Sequence, residues 1–162
     1  MIRGSILFVA GLAVGATFGG RAAQEPRLPG VNGVNHIAIV TDKYDEMMAF
    51  YTKTMGFPEA FTIKNAAGQP TLTYLQASRN TFIELFPASA GRQPGFAHYG
   101  LHVDDVNGIA ARLKERGMTV GTPRPAGSGS IAVTVTDPAG TRIEISELPP
   151  GAPARLAMER WK

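Results

Sequence analysis

Two of the three histidines, His36 and His98, each begin an apolar, alternating run. Each is followed, 48 and 46 residues later, by the glutamate of an Ile-Glu pair: Glu84 in "FIELF" and Glu144 in "RIEIS". Two imidazoles and two carboxylates make a mixed nitrogen and oxygen donor set. Such a set suits one divalent ion (Zn, Ni, Co, Mn or Fe) and differs from a soft thiolate site. Glu84 shares a strand face with Phe82 and Phe86. An unpaired carboxylate buried between two aromatics is costly, and a metal removes that cost. Glu144 shares its face with Arg142 and Ser146, so the burial argument is weaker there. One histidine at a strand start is ordinarily a packed or solvated side chain, and one such glutamate ordinarily faces solvent. The duplicated pairing singles these four out.

The third histidine, His102, lies four residues after His98 in "FAHYGLHVDD". Tyr99, Leu101 and Val103 alternate there, which is a strand pattern. On one strand face the two rings stand roughly 13 Å apart and cannot share a metal. His102 is therefore a candidate substrate contact or proton shuttle, weighed against a plain packed or solvated histidine. Tyr74, which shares a face with Gln76, is the second candidate substrate contact. Alternation alone leaves open whether that face lines a pocket.

The elements that position these residues come from a repeat. "HIAIVTDKYDEMMAFYTKTMGF" from His36 and "HYGLHVDDVNGIAARLKERGMTV" from His98 each carry an Asp six residues on, Asp42 and Asp104. Each then has a helical stretch closed by glycine, Gly56 and Gly117. The first copy reads as a strand over 34–41, a helix from Asp42 to Met55 with Met47, Phe50, Tyr51 and Met55 on one face, and strands at 58–64, 70–77 and 80–86. The second reads as a strand at 97–103, a helix at 105–116 with Val106, Ile109, Ala110 and Leu113 inward, and strands at 118–123, 129–135 and 141–147. "PRPAGSGS" reads as a loop. Both modules are βαβββ, an α+β organisation, with modules at 34–88 and 96–148. The tail, 149–162, is expected to form a short helix at 153–160 with Leu156 and Trp161 available to pack.

Charge and composition narrow the partners. The whole chain is basic, with 16 Lys/Arg against 13 Asp/Glu. From His36 to Leu148, however, ten Lys/Arg face eleven Asp/Glu, and the excess lies at the two ends. There is no basic stripe with interleaved aromatics, which argues against nucleic-acid binding. The chain has no cysteine, which excludes disulfides, thiolate metal sites, a cysteine nucleophile and a lipoprotein anchor. Residues 1–22 follow the order of a secretory signal: Arg3, an apolar run from Ile6 to about Phe18, then small residues with Gly20 and Ala22 before a cleavage point. Export, periplasmic or secreted, is the expectation. The alternative is an uncleaved membrane anchor, although the Gly/Ala-rich run is short for a span. Residues 23–33 read as a linker.

The segments "HIAIVTD", "FYTKTMGF", "FIELF", "HYGLHV" and "DPAGTRIEI" together resemble the vicinal oxygen chelate (glyoxalase/bleomycin-resistance/dioxygenase) superfamily over residues 34–148. The resemblance implies paired βαβββ modules in a U-shaped mixed sheet around a divalent metal. By position it implies the ligands His36, Glu84, His98 and Glu144. That full His/Glu/His/Glu set is the pattern of glyoxalase I (lactoylglutathione lyase). Epimerases of the superfamily usually carry Gln where Glu84 stands, and extradiol dioxygenases lack this ligand. The implied chemistry is a metal that chelates adjacent substrate oxygens, acidifies the neighbouring C–H and stabilises an enediolate. Glu144, and in second place Glu84, would then move the proton.

Two departures weaken a glutathione substrate. Bacterial glyoxalase I usually has Arg four residues after the first metal His, where this chain has Val40. It usually has Asn four residues after the first metal Glu, where this chain has Ala88. The expectation is therefore a metal-dependent lyase or isomerase for a small molecule with adjacent oxygens, not specific for glutathione. The alternatives are an Fe(II)-dependent oxygenase of the same fold and a metal-free small-ligand binding protein of the resistance type. Family members often complete the cup with two chains, so a homodimer is expected. Membrane contact is expected only if the N-terminal segment is uncleaved.

Overall fold

The computed structural model describes residues 27–162, so the signal expected at 1–22 and the start of the linker, 23–26, lie outside the described residues. One mixed sheet of eight strands carries the chain, in the order β2-β3-β4-β1-β5-β8-β7-β6. The first half is β1 (Val31–Thr41), β2 (Glu59–Lys64), β3 (Pro70–Ser78) and β4 (Thr81–Pro87). The second is β5 (Gly95–Val103), β6 (Arg124–Pro125), β7 (Ile131–Thr136) and β8 (Arg142–Glu147). β1 lies parallel to β4, and β5 lies parallel to β8. The two leading strands, β1 and β5, pair antiparallel at the centre. The modules therefore meet within one chain, and each histidine-bearing strand stands beside the other.

The helices divide between the two sheet faces. α2 (Val106–Glu115) buries Val106, Ile109, Ala110 and Leu113, the four residues expected to point inward. They pack on Val133, Val135 and Ile145, which alternate with Thr134 and Glu144 and so face away from the glutamate. Asp105 caps this helix by accepting from the Gly108 N–H at 2.9 Å. α3 (Pro153–Arg160) lies on the opposite face, where Ala154 and Ala157 pack with Leu72, Tyr74 and Phe82. Tyr74 and Phe82 share that face with Glu84 and His36 by register. The tail helix thus covers part of the inner face. It does so through its alanines, not through Leu156, which remains 40% exposed.

Two expectations are corrected. The helix expected from Asp42 to Met55 is α1 (Tyr44–Ala49), which continues as a π-helical stretch, Phe50–Thr54. The wider turn shifts the phase of the apolar positions. Phe50 and Met55 are consequently 46% and 48% exposed, and the expected four-residue face is not buried. The strand expected at 118–123 is also absent. Gly117, at φ 83°, ends α2, and the Met118 N–H returns to the Leu113 carbonyl. Gly121 and Pro123 then interrupt any ladder, and only Arg124 and Pro125 pair with β7.

Candidate metal centre

The four residues singled out by the repeat come together on the inner face. Their meeting follows from strand register. Glu84, Ala38 and His98 lie in one row across β4, β1 and β5. His36, Gly100 and Glu144 lie in the next row across β1, β5 and β8. Each row thus places one histidine and one glutamate on either side of a small residue. The small residue lets the flanking side chains lean inward over it. At Gly100 this space is filled: a Cβ built there would fall within the His36 ring.

The donor atoms converge. His36 Nε2 and His98 Nε2 are 3.1 Å apart. Glu84 Oε2 stands 3.6 Å from the first and 3.4 Å from the second. Glu144 reaches His36 through Oε1 at 3.8 Å and His98 through Oε2 at 3.9 Å. His36, Glu84 and His98 form the tight trio, all buried, with ligand atoms within 4.8 Å of one another. Glu144 stands slightly outside it and is the more open carboxylate, its side chain 20% exposed against 5% for Glu84.

These residues fit a divalent cation. Donors about 2.1 Å from one ion and at right angles to each other lie roughly 3 Å apart, close to the spacings here. Glu84 Oε2 is buried without a hydrogen-bond partner, an arrangement that is costly unless a cation completes it. The surroundings also aim the rings. Asn35 spends its amide N–H on the Asn80 carbonyl at 3.0 Å, leaving its oxygen 3.3 Å from His36 Nδ1. His36 Nδ1 therefore donates, and the Nε2 lone pair faces the cluster. Ser146, two residues beyond Glu144, donates to Glu144 Oε1 at 2.7 Å.

Burial, and secondarily the nearby His98, push the His36 pKa down from 6.5 to about 3. Burial raises that of Glu84, opposed by the nearby His98 and reinforced by Glu144. The two shifts act oppositely on acid stability. Between pH 6.5 and about 3 the unfolded chain holds a proton on His36 that the native chain lacks. That stabilisation is complete above the unfolded pKa and is lost as pH falls. Glu84, more easily protonated when folded, offsets part of the loss. The metal-free protein is therefore expected to melt at a lower temperature at pH 4.5 than at pH 7, and His36→Gln to flatten that dependence. Thermal melts of the two proteins across this range check it.

Of the two candidate substrate contacts, Tyr74 lies buried against the cluster and His102 lies apart from it. Tyr74 faces the cluster's side of the sheet but is 2% exposed. Its ring stacks on Phe61 at 4.6 Å and meets the His36 ring edge-on at 5.5 Å. Its hydroxyl, its pKa driven well up by burial, interacts with Glu84 and Ser128. Tyr74 thus braces Glu84 from behind and is not an open substrate surface. His102 does not join the cluster. It lines a separate cavity of about 440 Å³ with Arg79, Asp104, Glu147 and Arg155, and none of the four clustered residues lines that cavity. Alternation assigned its face correctly, but α3 and the Leu148–Pro150 segment build a different wall there.

Asn35, Gly100 and Ser146 escaped the sequence reading as site residues. A signal for one of them was present: each metal-competent histidine is followed two residues later by a small residue, Ala38 or Gly100.

A model of the glyoxalase/bleomycin resistance protein/dioxygenase superfamily matches residues 33–145. The chain belongs to this superfamily. Members of this superfamily bind a divalent metal. A curated relative, 2-epi-5-epi-valiolone epimerase of an Actinomyces species, is 29% identical, the alignment covering 78% of this chain and 85% of that protein. Among solved structures, methylmalonyl-CoA epimerase from Mycobacterium tuberculosis superposes with a TM-score of 0.64 at 22% identity, covering 78% of this chain and 95% of its own. The Streptomyces coelicolor methylmalonyl-CoA epimerase, solved with 2-nitronate-propionyl-CoA, gives 0.61 at 22% identity, covering 75% and 97%. These structural likenesses show the fold.

Proposed function

We propose that this protein is a metal-dependent isomerase, in the first instance an epimerase, that moves a proton at a carbon beside a carbonyl. The observation that carries the reading is the convergence of two histidine Nε2 atoms and two carboxylates, one of them with an orphaned buried oxygen. His36, Glu84, His98 and Glu144 would hold the ion. Zn, Ni, Co, Mn and Fe all suit this donor set. Bound there, a divalent ion supplies positive charge to adjacent substrate oxygens and acidifies the neighbouring C–H. Glu144 is the proton acceptor: it is the more open carboxylate, and Ser146 holds one of its oxygens. Its carboxylate would take the proton from one face of the carbon as charge builds on the substrate, and inversion then requires a proton delivered to the opposite face. Glu84, buried and braced by Tyr74, keeps a fixed position and is the weaker candidate for proton transfer. The curated epimerase relative supports this choice of reaction.

Glu84 favours one second reading, a glyoxalase I-type lyase, because the complete His/Glu/His/Glu set resembles that enzyme. Val40 and Ala88 leave its glutathione contacts unsupported. Export and a homodimer remain part of the proposal on the sequence argument given above.

The test is solvent exchange. The metal-loaded protein in D₂O is offered methylmalonyl-CoA, 2-epi-5-epi-valiolone and the methylglyoxal–glutathione hemithioacetal. Deuterium entering either epimerase substrate beside its carbonyl, at a rate set by the protein, is expected. Turnover of the hemithioacetal alone would overturn the epimerase reading in favour of the lyase.

A further inference from the structure

We propose that Arg92 binds an anionic group, a carboxylate or phosphate, on the substrate whose oxygens meet the His/Glu cluster. The inference rests on the metal reading above and adds the substrate's charge. Arg92 lies in the link between β4 and β5. Its backbone is pinned: Ser89 and Arg92 exchange two backbone hydrogen bonds, each 3.0 Å, closing a four-residue turn. Its guanidinium sits over the Phe86 ring, 4.3 Å from the centroid, a favourable cation–π arrangement. Phe86 follows Glu84 by two residues on the inner face, and its ring centroid is 6.4 Å from that of His98. One aromatic ring therefore separates Arg92 from the candidate metal centre.

The charge of Arg92 is unspent. Among the described residues no carboxylate pairs with it, whereas Arg155 is held by Glu159 at 3.2 Å. A guanidinium held over a ring keeps N–H donors to offer. Arg92 also lines a small cavity of about 260 Å³ with Pro70, Thr71 and Ser89, and none of the four clustered residues lines it. The cluster itself brings two carboxylates, so a cation beside it favours a substrate that carries its own negative charge. Arg142, exposed and two residues before Glu144 on the same face, is the obvious rival.

Hydroxamates provide the test, because their two adjacent oxygens chelate a metal without turnover. Affinities are measured by calorimetry on the Co(II)-loaded protein for acetohydroxamate, for succinate and glutarate monohydroxamates with their methyl esters, and for phosphonoacetohydroxamate. At least one anionic probe is expected to bind on the order of tenfold more tightly than its neutral counterpart. The arms that do so distinguish carboxylate from phosphate chemistry. In Arg92→Ala the preference should vanish while acetohydroxamate binds as before, and Arg92→Lys should restore part of it. A preference that survives in Arg92→Ala, or is lost only in Arg142→Ala, overturns the assignment, as does acetohydroxamate binding with no preference for any anion. A loaded protein that binds no probe, acetohydroxamate included, overturns the assignment too, whereas a protein that takes up no Co(II) overturns the metal reading itself.

Discussion

Replacing Glu144 by Gln is expected to leave the ion bound and to lower turnover by about 10²–10⁴-fold, the usual worth of a general base. The amide is nearly isosteric. It keeps an oxygen for the ion and for the Ser146 hydroxyl, which lies 2.7 Å from Glu144 Oε1. What it loses is the ability to accept a proton. The site's asymmetry makes the result specific to this carboxylate. Glu84 is buried, lacks a partner for one oxygen and is fixed between strands. Glu144 stands further out and touches the two histidines through different oxygens. Glu84→Gln should therefore chiefly weaken metal binding. Initial rates and metal content of the two variants check this. A Glu144→Gln protein that keeps both metal and full activity would remove Glu144 as the base.

Gly100→Ala is expected to weaken metal binding by about 10–100-fold, as lost ligand orientation typically does. Overpacking should cost about 1–3 kcal/mol of stability in addition. One methyl group has this effect because its position is already taken by the His36 ring. The ring cannot retreat freely: it is 1% exposed, tied to Asn35 at 3.3 Å and flanked by Tyr74. Ala38→Gly, the corresponding small position in the other row, serves as the control and should leave the ion in place. Calorimetric metal titration and thermal melts of both variants read the outcome. If Gly100→Ala binds metal like the parent protein, the glycine is not what gives the His36 ring its place.

The four clustered residues were legible because duplication repeats both chemistry and spacing. A histidine at each module's start and a glutamate at its end survive as a pattern even where the intervening residues differ. Their packing into two rows was not legible. It depends on β1 pairing with β5 in one register, with Ala38 opposite His98 and Gly100 opposite His36, and pairing register is not written in either strand alone. The same limit explains His102. Alternation gives its face but not the chain that covers that face, and here α3 and Leu148–Pro150 build a separate cavity around it. Tyr74 misled in the opposite way: it points inward, yet Phe61, Phe82 and the tail helix bury it. The helix before Gly56 was legible in place but not in phase, because a π-helical stretch depends on local bonding that apolar spacing does not encode.

The central claim is that His36, Glu84, His98 and Glu144 form one divalent metal site. Metal analysis of the domain beginning after residue 22, purified without chelator and titrated with Zn, Ni, Co, Mn and Fe(II), tests it most directly. The expected result is one tightly held ion per chain, lost in His98→Ala while that variant keeps a cooperative thermal transition. A folded parent protein that binds none of these ions, or a His98→Ala protein that binds one as tightly as the parent, would contradict it.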